Sequence, residues 1–363
     1  MEYFHSLLKF AVNQGASDIH LKPNHRATIR VSGELFPVQD APTVEQLREI
    51  VELILPPHLI TRLEREREVD FSYLHEGIGR YRVNAFYQRG LPCIAMRFVK
   101  AHIPSFTDLH LPDQLGKIAG AERGIIFVTG ATGCGKSSTL AAMIEHINQT
   151  EKCHIVTLED PVEFVFEDKQ SVIEQREVGL DTLSFERALV HVMRQDPDVI
   201  MIGEMRDSQS FMAALAAADT GHLVLTTLHT NTAYSSLGRI LDFFPAHERD
   251  QIRRQVAVNL QAVICQRLVP AIAGGVVPAV EIMLSTPTVR KLIEENRLDK
   301  LFAAVETGSE DGMQTFNQSL YKLVKAKMIT EENALVRATS PEALQMNFRG
   351  IFLDESRRIL SSA

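Results

Sequence analysis

A glycine-rich loop between an apolar run and a helical run is the first stretch of this chain that could do chemistry. In GIIFVTGATGCGKSSTLAAMI, the pattern Gly-x4-Gly-Lys-Ser follows directly on a predicted strand. In such a P-loop, glycines let successive backbone N–H groups point at phosphate oxygens, and the dipole of the following helix strengthens the anion site. The flanking elements are those that the motif needs. The loop therefore predicts binding of a nucleoside triphosphate rather than a turn that binds nothing.

The predicted nucleotide-binding residues are consecutive positions of this loop. We expect Lys136 to place its charge on the β- and γ-phosphates and Ser137 to offer its hydroxyl to Mg²⁺. Cys134 occupies a variable position, where a small filler is expected rather than a nucleophile or a redox switch. The full set is Gly130, Ala131, Thr132, Gly133, Cys134, Gly135, Lys136, Ser137 and Ser138.

Hydrolysis needs further groups that orient water and stabilise charge on the departing phosphate. Glu204 follows the apolar run DVIMIG, at the carboxyl end of a predicted sheet strand where sites of α/β proteins lie. Gly203 stands where a P-loop protein usually has a second carboxylate. We therefore expect Glu204 to polarise the attacking water and to hold Mg²⁺ through water. The alternative is a solvated acid at a strand end.

Acids and histidines near two other strands are weaker candidates. TLEDPVEF carries three acids around a proline, and we favour Glu163 for a role at Mg²⁺, the ribose or the base, with a structural role as the alternative. His222 and His229 flank the strand LVLTTL, which spans roughly 20 Å, so both cannot touch one phosphate. We expect His229 to sense the γ-phosphate and His222 to bond at the opposite end or across a subunit boundary.

The composition is that of an ordinary globular protein, with 363 residues, 45% hydrophobic and 23% charged. The net charge of −8 and the lack of a basic block disfavour a nucleic-acid translocase. The four cysteines are isolated and indicate neither a zinc site nor a disulfide framework. The sequence shows no signal-peptide pattern and no apolar run near the ~18 residues that a membrane span needs, so we expect a cytoplasmic protein.

The spacing of apolar residues predicts the elements that position these groups. In the first hundred residues we expect a helix ending at Gly15, a hairpin at Ser32-Gly33, a helix over about 44–67 and two strands joined at 90–92, which is typical of a small α+β domain. Strands then alternate with helices at about 136–149, 182–195 and 208–219, which is typical of a parallel sheet. Beyond residue 239 we expect mostly helices, with a hairpin around 274–275. The chain is therefore predicted to be an α/β protein with domains at 1–99 and 114–363 and a linker at 100–113.

Together these motifs resemble the PilT/PilU retraction ATPases of type IV pili, within the secretion-ATPase superfamily. The ordered matches cover essentially the whole chain: GASDIHL, GIGRYRVNAFYQRG, GATGCGKSSTLAAMI, HIVTLEDPVEF, QREVGLDTLSFERAL, RQDPDVIMIGEMRD, TGHLVLTTLHTNTA, RILDFFP and GMQTFNQSLY. The resemblance implies a PAS-like N-terminal domain and a RecA-like P-loop ATPase domain with a C-terminal helical region. It also implies a homohexamer that binds ATP and Mg²⁺ between the two domains.

The same resemblance implies roles for individual residues. It makes Glu204 the catalytic glutamate and pairs His222 with His229 in a histidine box. Arg80 and Arg82 lie two positions apart, and so on one strand face, and fit the N-domain arginines that the family places on the phosphates, with Arg97 a weaker third. The implied catalytic set is Glu204, Glu163, His229, His222, Arg80, Arg82 and Arg97.

The resemblance also implies a task and partners. The hexamer would convert hydrolysis into pilin disassembly and twitching motility through an inner-membrane pilus platform protein, at the inner face of the cytoplasmic membrane. A second retraction ATPase is a further candidate partner. The helix TPTVRKLIEENRL stands where the PilT branch has AIRNLIRE. Its Val289, Leu292 and Ile293 are a candidate face for the platform, and the alternative is that these side chains belong to the core.

The branch within this family stays open at the level of sequence. GATG, REVGLDT and QRLVP lean toward PilU, whereas GEMRD leans toward PilT. The leading hypothesis is a retraction motor. The alternative is an accessory ATP-binding regulator or scaffold of a primary motor, with low turnover of its own.

Overall fold

The computed structural model describes residues 2–31, 33–99 and 102–351. The chain divides into two units. The first holds the N-terminal residues through His102 together with the segments Asp160–Val165 and Glu177–Leu183, and the second holds the rest. Residues 100 and 101 of the predicted linker and residues 352–363 of the predicted second domain lie outside the described residues.

The first unit is built on one antiparallel sheet of six strands in the order β3-β2-β1-β6-β5-β4. Its apolar core lies between this sheet and the helices. The elements are α1 Glu2–Asn13, β1 Asp18–Leu21, β2 Ala27–Val31, β3 Glu34–Gln39, α2 Val44–Ile54, α3 Ile60–Glu66, β4 Glu68–His75, β5 Gly79–Gln88 and β6 Leu91–Val99.

The prediction of one helix over residues 44–67 is wrong, because two prolines divide it. Helix α2 begins with a capping box between Thr43 and Gln46 and ends at Leu55, whose backbone is extended. The residue before a proline is disfavoured in the helical region, and Leu55 precedes Pro56. A short 3₁₀ turn at Pro57–Leu59 then leads into α3.

Strand β5 shows why arginines lie at its alternate positions. Tyr81, Val83 and Ala85 are almost fully buried in the core of the first unit. Because successive side chains of a strand point to opposite faces, Arg80 and Arg82 share the other face. The prediction that these two arginines lie on one strand face is confirmed.

The second unit is built on a seven-stranded sheet in the order β13-β12-β7-β11-β10-β8-β9. Its strands are β7 Gly124–Gly130, β8 His154–Glu159, β9 Val172–Glu177, β10 Val199–Ile202, β11 Leu223–Leu228, β12 Leu260–Pro270 and β13 Val276–Leu284. Its helices are α4 Gln114–Ala119, α5 Lys136–Thr150, α6 Phe185–Val192, α7 Ser208–Asp219, α8 Ala233–Asp242, α9 Arg249–Asn259, α10 Pro287–Glu294, α11 Leu301–Thr307, α12 Phe316–Lys325, α13 Glu331–Arg337 and α14 Pro341–Phe348.

The four predicted strands of this unit, β7, β8, β10 and β11, are present and parallel. Alternate residues of β7 enter two separate cores: Ile125 and Phe127 one, Ile126 and Val128 the other. Both faces of the sheet are therefore covered, as a parallel sheet requires. None of the helices within residues 2–351 is both long and apolar enough to cross a membrane.

The predicted hairpin at Gly274-Gly275 is confirmed, since β12 and β13 pair antiparallel around it. The sequence did not predict that β12 also pairs parallel with β7, in the centre of the sheet. The start of β12 is hidden in the sequence because Leu260 directly follows Asn259, the last residue of α9, with no turn residue between helix and strand.

Candidate functional site

The P-loop connects the end of β7 to the start of α5. At Gly130 the backbone φ is +142°, and a Cβ would lie 2.5 Å from the Sγ of Cys134 and 2.6 Å from the carbonyl oxygen of Gln266. Only glycine fits so close an approach. Gly135 caps α5 in the left-handed conformation without a side-chain hydrogen bond, so the first-turn N–H groups face the loop. This is the anion-binding geometry that the sequence predicts.

Lys136 is buried and its ammonium group lies within the curl of the loop. Its Nζ donates hydrogen bonds to the carbonyl oxygens of Gly130 at 3.0 Å and Ala131 at 3.1 Å. The same Nζ lies 3.5 Å from Nδ1 of His229. A fixed cation at this point can neutralise a phosphate that the loop amides hold.

Glu204 and His229 form a pair beside this lysine. His229 Nε2 lies 2.9 Å from Glu204 Oε1, and Arg206 Nη2 donates to Glu204 Oε2 at 2.7 Å. Burial raises the pKa of Glu204, but the hydrogen bonds and charges of Arg206 and His229 outweigh it, so the pKa of Glu204 lies below its usual value. Glu204 is therefore an ionised acceptor that can orient water, and a weak proton acceptor.

Parallel neighbouring strands bring these side chains together. Strand β11 lies between β7 and β10, and the three strands point the same way. Their carboxyl ends thus share one sheet edge, where Gly130 ends β7, Glu204 comes after β10 and His229 comes after β11. The tip of β10 is fixed by Thr227, whose Oγ1 donates to the carbonyl oxygen of Gly203 at 2.7 Å.

His222 lies at the other end of β11. Its Nδ1 is 2.9 Å from the carbonyl oxygen of Ala217 and 3.1 Å from Oγ1 of Thr220, at the end of α7. Within this unit the structure therefore brings His229, but not His222, to the P-loop.

Arg80 and the segment that carries Glu163 meet at a buried carboxylate of the first unit. Glu177 Oε2 accepts hydrogen bonds from Arg80 Nη2 at 2.9 Å and from the backbone N–H of Val162 at 3.2 Å, and Ser72 Oγ donates at 2.7 Å. Because Val162 precedes Glu163, this contact fixes the backbone beside the predicted acid. Glu163 itself has an exposed side chain.

The other two predicted arginines differ in their surroundings. Arg97 Nε donates to Asp18 Oδ1 at 2.8 Å. Burial raises the pKa of Asp18. Hydrogen bonds from Arg97 and Ser17 lower it by more than burial raises it, so the pKa of Asp18 lies below its usual value. Arg82 is exposed on the same face of β5 as Arg80, and no ion pair within the described ranges includes it.

A cavity of about 420 Å³ adjoins the P-loop within the second unit. Residues 131–134 of the loop line one part of it, and the carboxyl half of β12, with residues from α13 and the loop after β11, lines the rest. The lining residues are Ala131, Thr132, Gly133, Cys134, Asn231, Gln266, Arg267, Leu268 and Arg337. The cavity is large enough for the nucleoside part of a nucleotide and is lined by both polar and apolar groups.

The donor groups near the loop fit Mg²⁺ bound mainly by a nucleotide and water. Ser137 supplies a hydroxyl one residue after the buried lysine, and Glu204 supplies a carboxylate; such oxygen donors suit this hard cation. Within residues 2–31, 33–99 and 102–351, no three His, Cys, Asp or Glu side chains cluster as a metal cage. Ser137 and Glu204 thus offer two oxygen donors, and phosphate oxygens and water would supply the others.

Comparison with known proteins decides the family. The model of the family described as "Type II/IV secretion system protein" matches residues 1–345. The chain belongs to this family. The P-loop, Glu204 and His229 thus lie in a chain that this family model matches across both units.

Several relatives in this family are similar to the chain over nearly its whole length. The type IV pilus retraction ATPase PilT of Pseudomonas aeruginosa is 41% identical over 93% of this chain and 98% of that protein. The type IV pilus ATPase PilU of the same organism is 41% identical over 94% of this chain and 90% of its own length. A crystal structure of the pilus retraction motor PilT with bound ADP superposes with a TM-score of 0.86 at 42% identity, covering 93% of this chain and 97% of that chain.

Sequence reasoning missed three residues of this secretion-system protein that the structure places around the predicted ones. Arg206 pairs with Glu204, and its position two residues later in GEMRD was a local signal. Glu177 pairs with Arg80 across 97 positions, and Arg267 reaches Asn231 from 36 positions away. No local pattern reveals partners so distant in sequence.

Proposed function

We propose that this chain is an ATPase that couples hydrolysis of ATP to retraction of type IV pili, and so to twitching motility. The observation that carries the proposal is the convergence of the P-loop, Glu204 and His229 at one sheet edge of a chain that aligns with a pilus retraction ATPase over nearly its full length. Phosphate binding without a residue to orient water would suit a scaffold. Here the phosphate-binding loop and a carboxylate that can orient water lie together.

The chemistry follows from the contacts of three side chains. Loop amides and Lys136 hold the β- and γ-phosphates, so the negative charge of the departing group is neutralised where it develops. Glu204 accepts a hydrogen bond from the attacking water and orients it. His229 contacts both Glu204 and the lysine, and so registers whether a γ-phosphate is held between them.

Ser137, and Glu204 through water, are the residues that would hold Mg²⁺, which supplies further charge neutralisation when bound. The cavity beside the loop is the proposed place of the nucleoside. We assign the phosphate-directed role among the N-terminal arginines first to Arg82, since Arg80 and Arg97 already pair with carboxylates. Glu163 keeps its proposed role at the metal, the ribose or the base.

The proposed working form is a homohexamer in the cytoplasm, attached to the inner face of the cytoplasmic membrane through a pilus platform protein. A second retraction ATPase is a proposed further partner, and no nucleic acid is involved. The hexamer is supported by membership of the family and by the close likeness to the PilT motor. A primary role is favoured over an accessory one because Lys136, Ser137 and Glu204 are all in place for turnover.

Two measurements test the proposed function. The purified protein should hydrolyse ATP, and Glu204→Gln should lower kcat by about 10²-fold or more while ATP binding stays close to that of the wild type. Deletion of the gene should give a hyperpiliated strain that does not twitch. Wild-type protein without ATP turnover, or a deletion strain with normal pilus number and motility, would overturn the proposal.

A further inference from the structure

Strands β12 and β13 hold the loop that carries His229 through three hydrogen bonds, beside the bonds that Thr230 and Thr232 make to α8. Cys265 Sγ on β12 donates to the carbonyl oxygen of Thr230 at 3.5 Å. Arg267, two residues further along the strand, donates from Nη2 to the carbonyl oxygen of Asn231 at 3.1 Å. Glu281 on β13 accepts from the backbone N–H of Ala233 at 2.6 Å, where α8 begins. Three contacts thus tie residues 230–233 to one hairpin.

Arg267 also reaches the C-terminal helices. Its Nη1 donates to the carbonyl oxygen of Arg337 at 2.8 Å and to Oγ1 of Thr339 at 3.1 Å. Its Cζ lies 3.8 Å from the ring centre of Phe316, which is fully buried. A planar guanidinium can make these contacts at once because its donors point in fixed directions, which a lysine ammonium cannot reproduce.

Taken together, these contacts join the His229 loop to the junction between α13 and α14 through one side chain. We infer that Arg267 is a positioning residue: it holds the backbone two residues after His229 and so fixes the histidine against Glu204 and Lys136, while linking that loop to the C-terminal helices. The inference rests on the proposed ATPase function and extends it. None of the contacts described for Arg267 is with Lys136, Glu204 or the side chain of His229. Because Arg267 also lines the cavity proposed for the nucleoside, the KM for ATP tells a contact with the nucleotide from an effect that passes through His229.

A double-mutant cycle between Arg267 and His229 tests the inference in the full-length protein. Arg267→Gln should lower kcat by about tenfold while the KM for ATP changes less than about twofold, since a group that acts through a catalytic-site residue alters the chemical step more than binding. In a His229→Ala background the same substitution should have an added effect below about twofold, because its target is already gone. Arg267→Lys keeps the charge but lacks the fixed, divergent donors of a guanidinium, so it should give a partial loss.

Arg254→Gln is the matched control. Arg254 is an exposed arginine on α9 whose Nε donates to the carbonyl oxygen of Asp250 in the same helix, so kcat and KM should stay at wild-type values. Hydrogen exchange of the amides of residues 229–233 gives a second readout that does not depend on activity. Exchange there should be faster in both Arg267 variants than in the wild type and unchanged in Arg254→Gln.

Several outcomes would overturn the inference. A tenfold loss that persists in full in the His229→Ala background would show that Arg267 acts independently of the histidine. A rise in KM at constant kcat would show that Arg267 contacts the nucleotide directly. If Arg267→Gln does not fold, the same mutant cycle and the same exchange measurement are made with Arg267→Lys. Unchanged exchange of residues 229–233 in a folded Arg267 variant would contradict the inference. Wild-type protein that fails to hydrolyse ATP would instead overturn the proposed function.

Discussion

At the scale of single residues, the surroundings of Glu204 keep its carboxylate ionised. It carries two opposite influences, burial and the positive partners Arg206 and His229, and the partners prevail. An acid with a lowered pKa stays ionised to a lower pH than a free glutamate. Its stabilising pairs are therefore present above the ordinary glutamate pKa and are lost only as the pH falls through the lowered value.

Arg206→Gln should shift the acid limb of the pH profile of kcat toward higher pH. The substitution removes the largest lowering influence on the pKa of Glu204, whereas burial continues to raise it. Arg206→Lys keeps a positive charge and should leave the limb near its wild-type position. A glutamine variant whose profile superimposes on the wild type would show that Arg206 does not control Glu204.

Arg80 and Arg82 share a strand face but should fail in different ways when replaced by alanine. Arg80→Ala leaves Glu177 buried without its cation, and breaking such a pair costs about 3 kcal/mol or more in the free energy of unfolding. Arg82→Ala removes an exposed side chain and should change stability by less than about 0.5 kcal/mol. Its effect is expected on kcat, with ATP affinity retained, if it acts on the phosphate in the transition state.

Denaturant unfolding of both variants, measured beside ATP binding and turnover, separates these effects. Equal losses of stability in the two variants would contradict the assignment of Arg80 to a buried pair. Equal losses of affinity and kcat in Arg82→Ala would point to ground-state binding instead.

At the scale of elements, the β12–β13 hairpin contains an acid that the sequence did not single out. Glu281 is almost fully buried, and burial raises its pKa despite the hydrogen bond from Ala233 and the charge of Arg267. The folded state therefore favours the protonated form of Glu281 more than the unfolded state does. The stability that this acid contributes is complete below the ordinary glutamate pKa and is lost as the pH rises through the raised value.

Glu281→Gln should therefore become more stable relative to the wild type as the pH rises over that window. Glutamine keeps an oxygen that can accept from Ala233 but never ionises. Glu281→Leu removes the acceptor and should be less stable than the wild type at every pH, because a buried N–H is left unpaired. Free energies of unfolding measured across the window test this, and a parallel pH dependence in the wild type and Glu281→Gln would contradict it.

Local pattern predicted most elements of both units, and the failures have physical causes. The P-loop, its strand and its helix could be predicted because one continuous segment supplies the whole anion site. The break before α3 was missed although Pro56 and Pro57 stand in the sequence, since the apolar spacing continues across them. The place of β12 beside β7, and the pairing of Arg80 with Glu177, depend on contacts between distant segments, which spacing along the chain does not encode.

At the scale of the whole molecule, the proposed coupling to a pilus platform needs an outward surface. The sequence suggested the apolar residues of α10, but Val289 and Ile293 are buried in the core of the second unit, and Leu292 is partly buried against it. Those side chains hold α10 to its own unit, so they are not available to a partner. The residues of α10 that remain exposed include Arg290, Lys291 and Glu294.

Reversing two of these charges should separate hydrolysis from motility. Arg290→Glu with Lys291→Glu leaves the buried side of α10 intact, so kcat should stay within about twofold of the wild type while the twitching zone shrinks strongly. The control is Lys325→Glu with Lys327→Glu at the end of α12, where both side chains are also exposed and the same charge is reversed. ATPase assays and twitching zones of the two strains check this. Equal loss of motility in both would trace the effect to net charge rather than to α10, and loss of hydrolysis in the α10 variant would show that this face serves the fold.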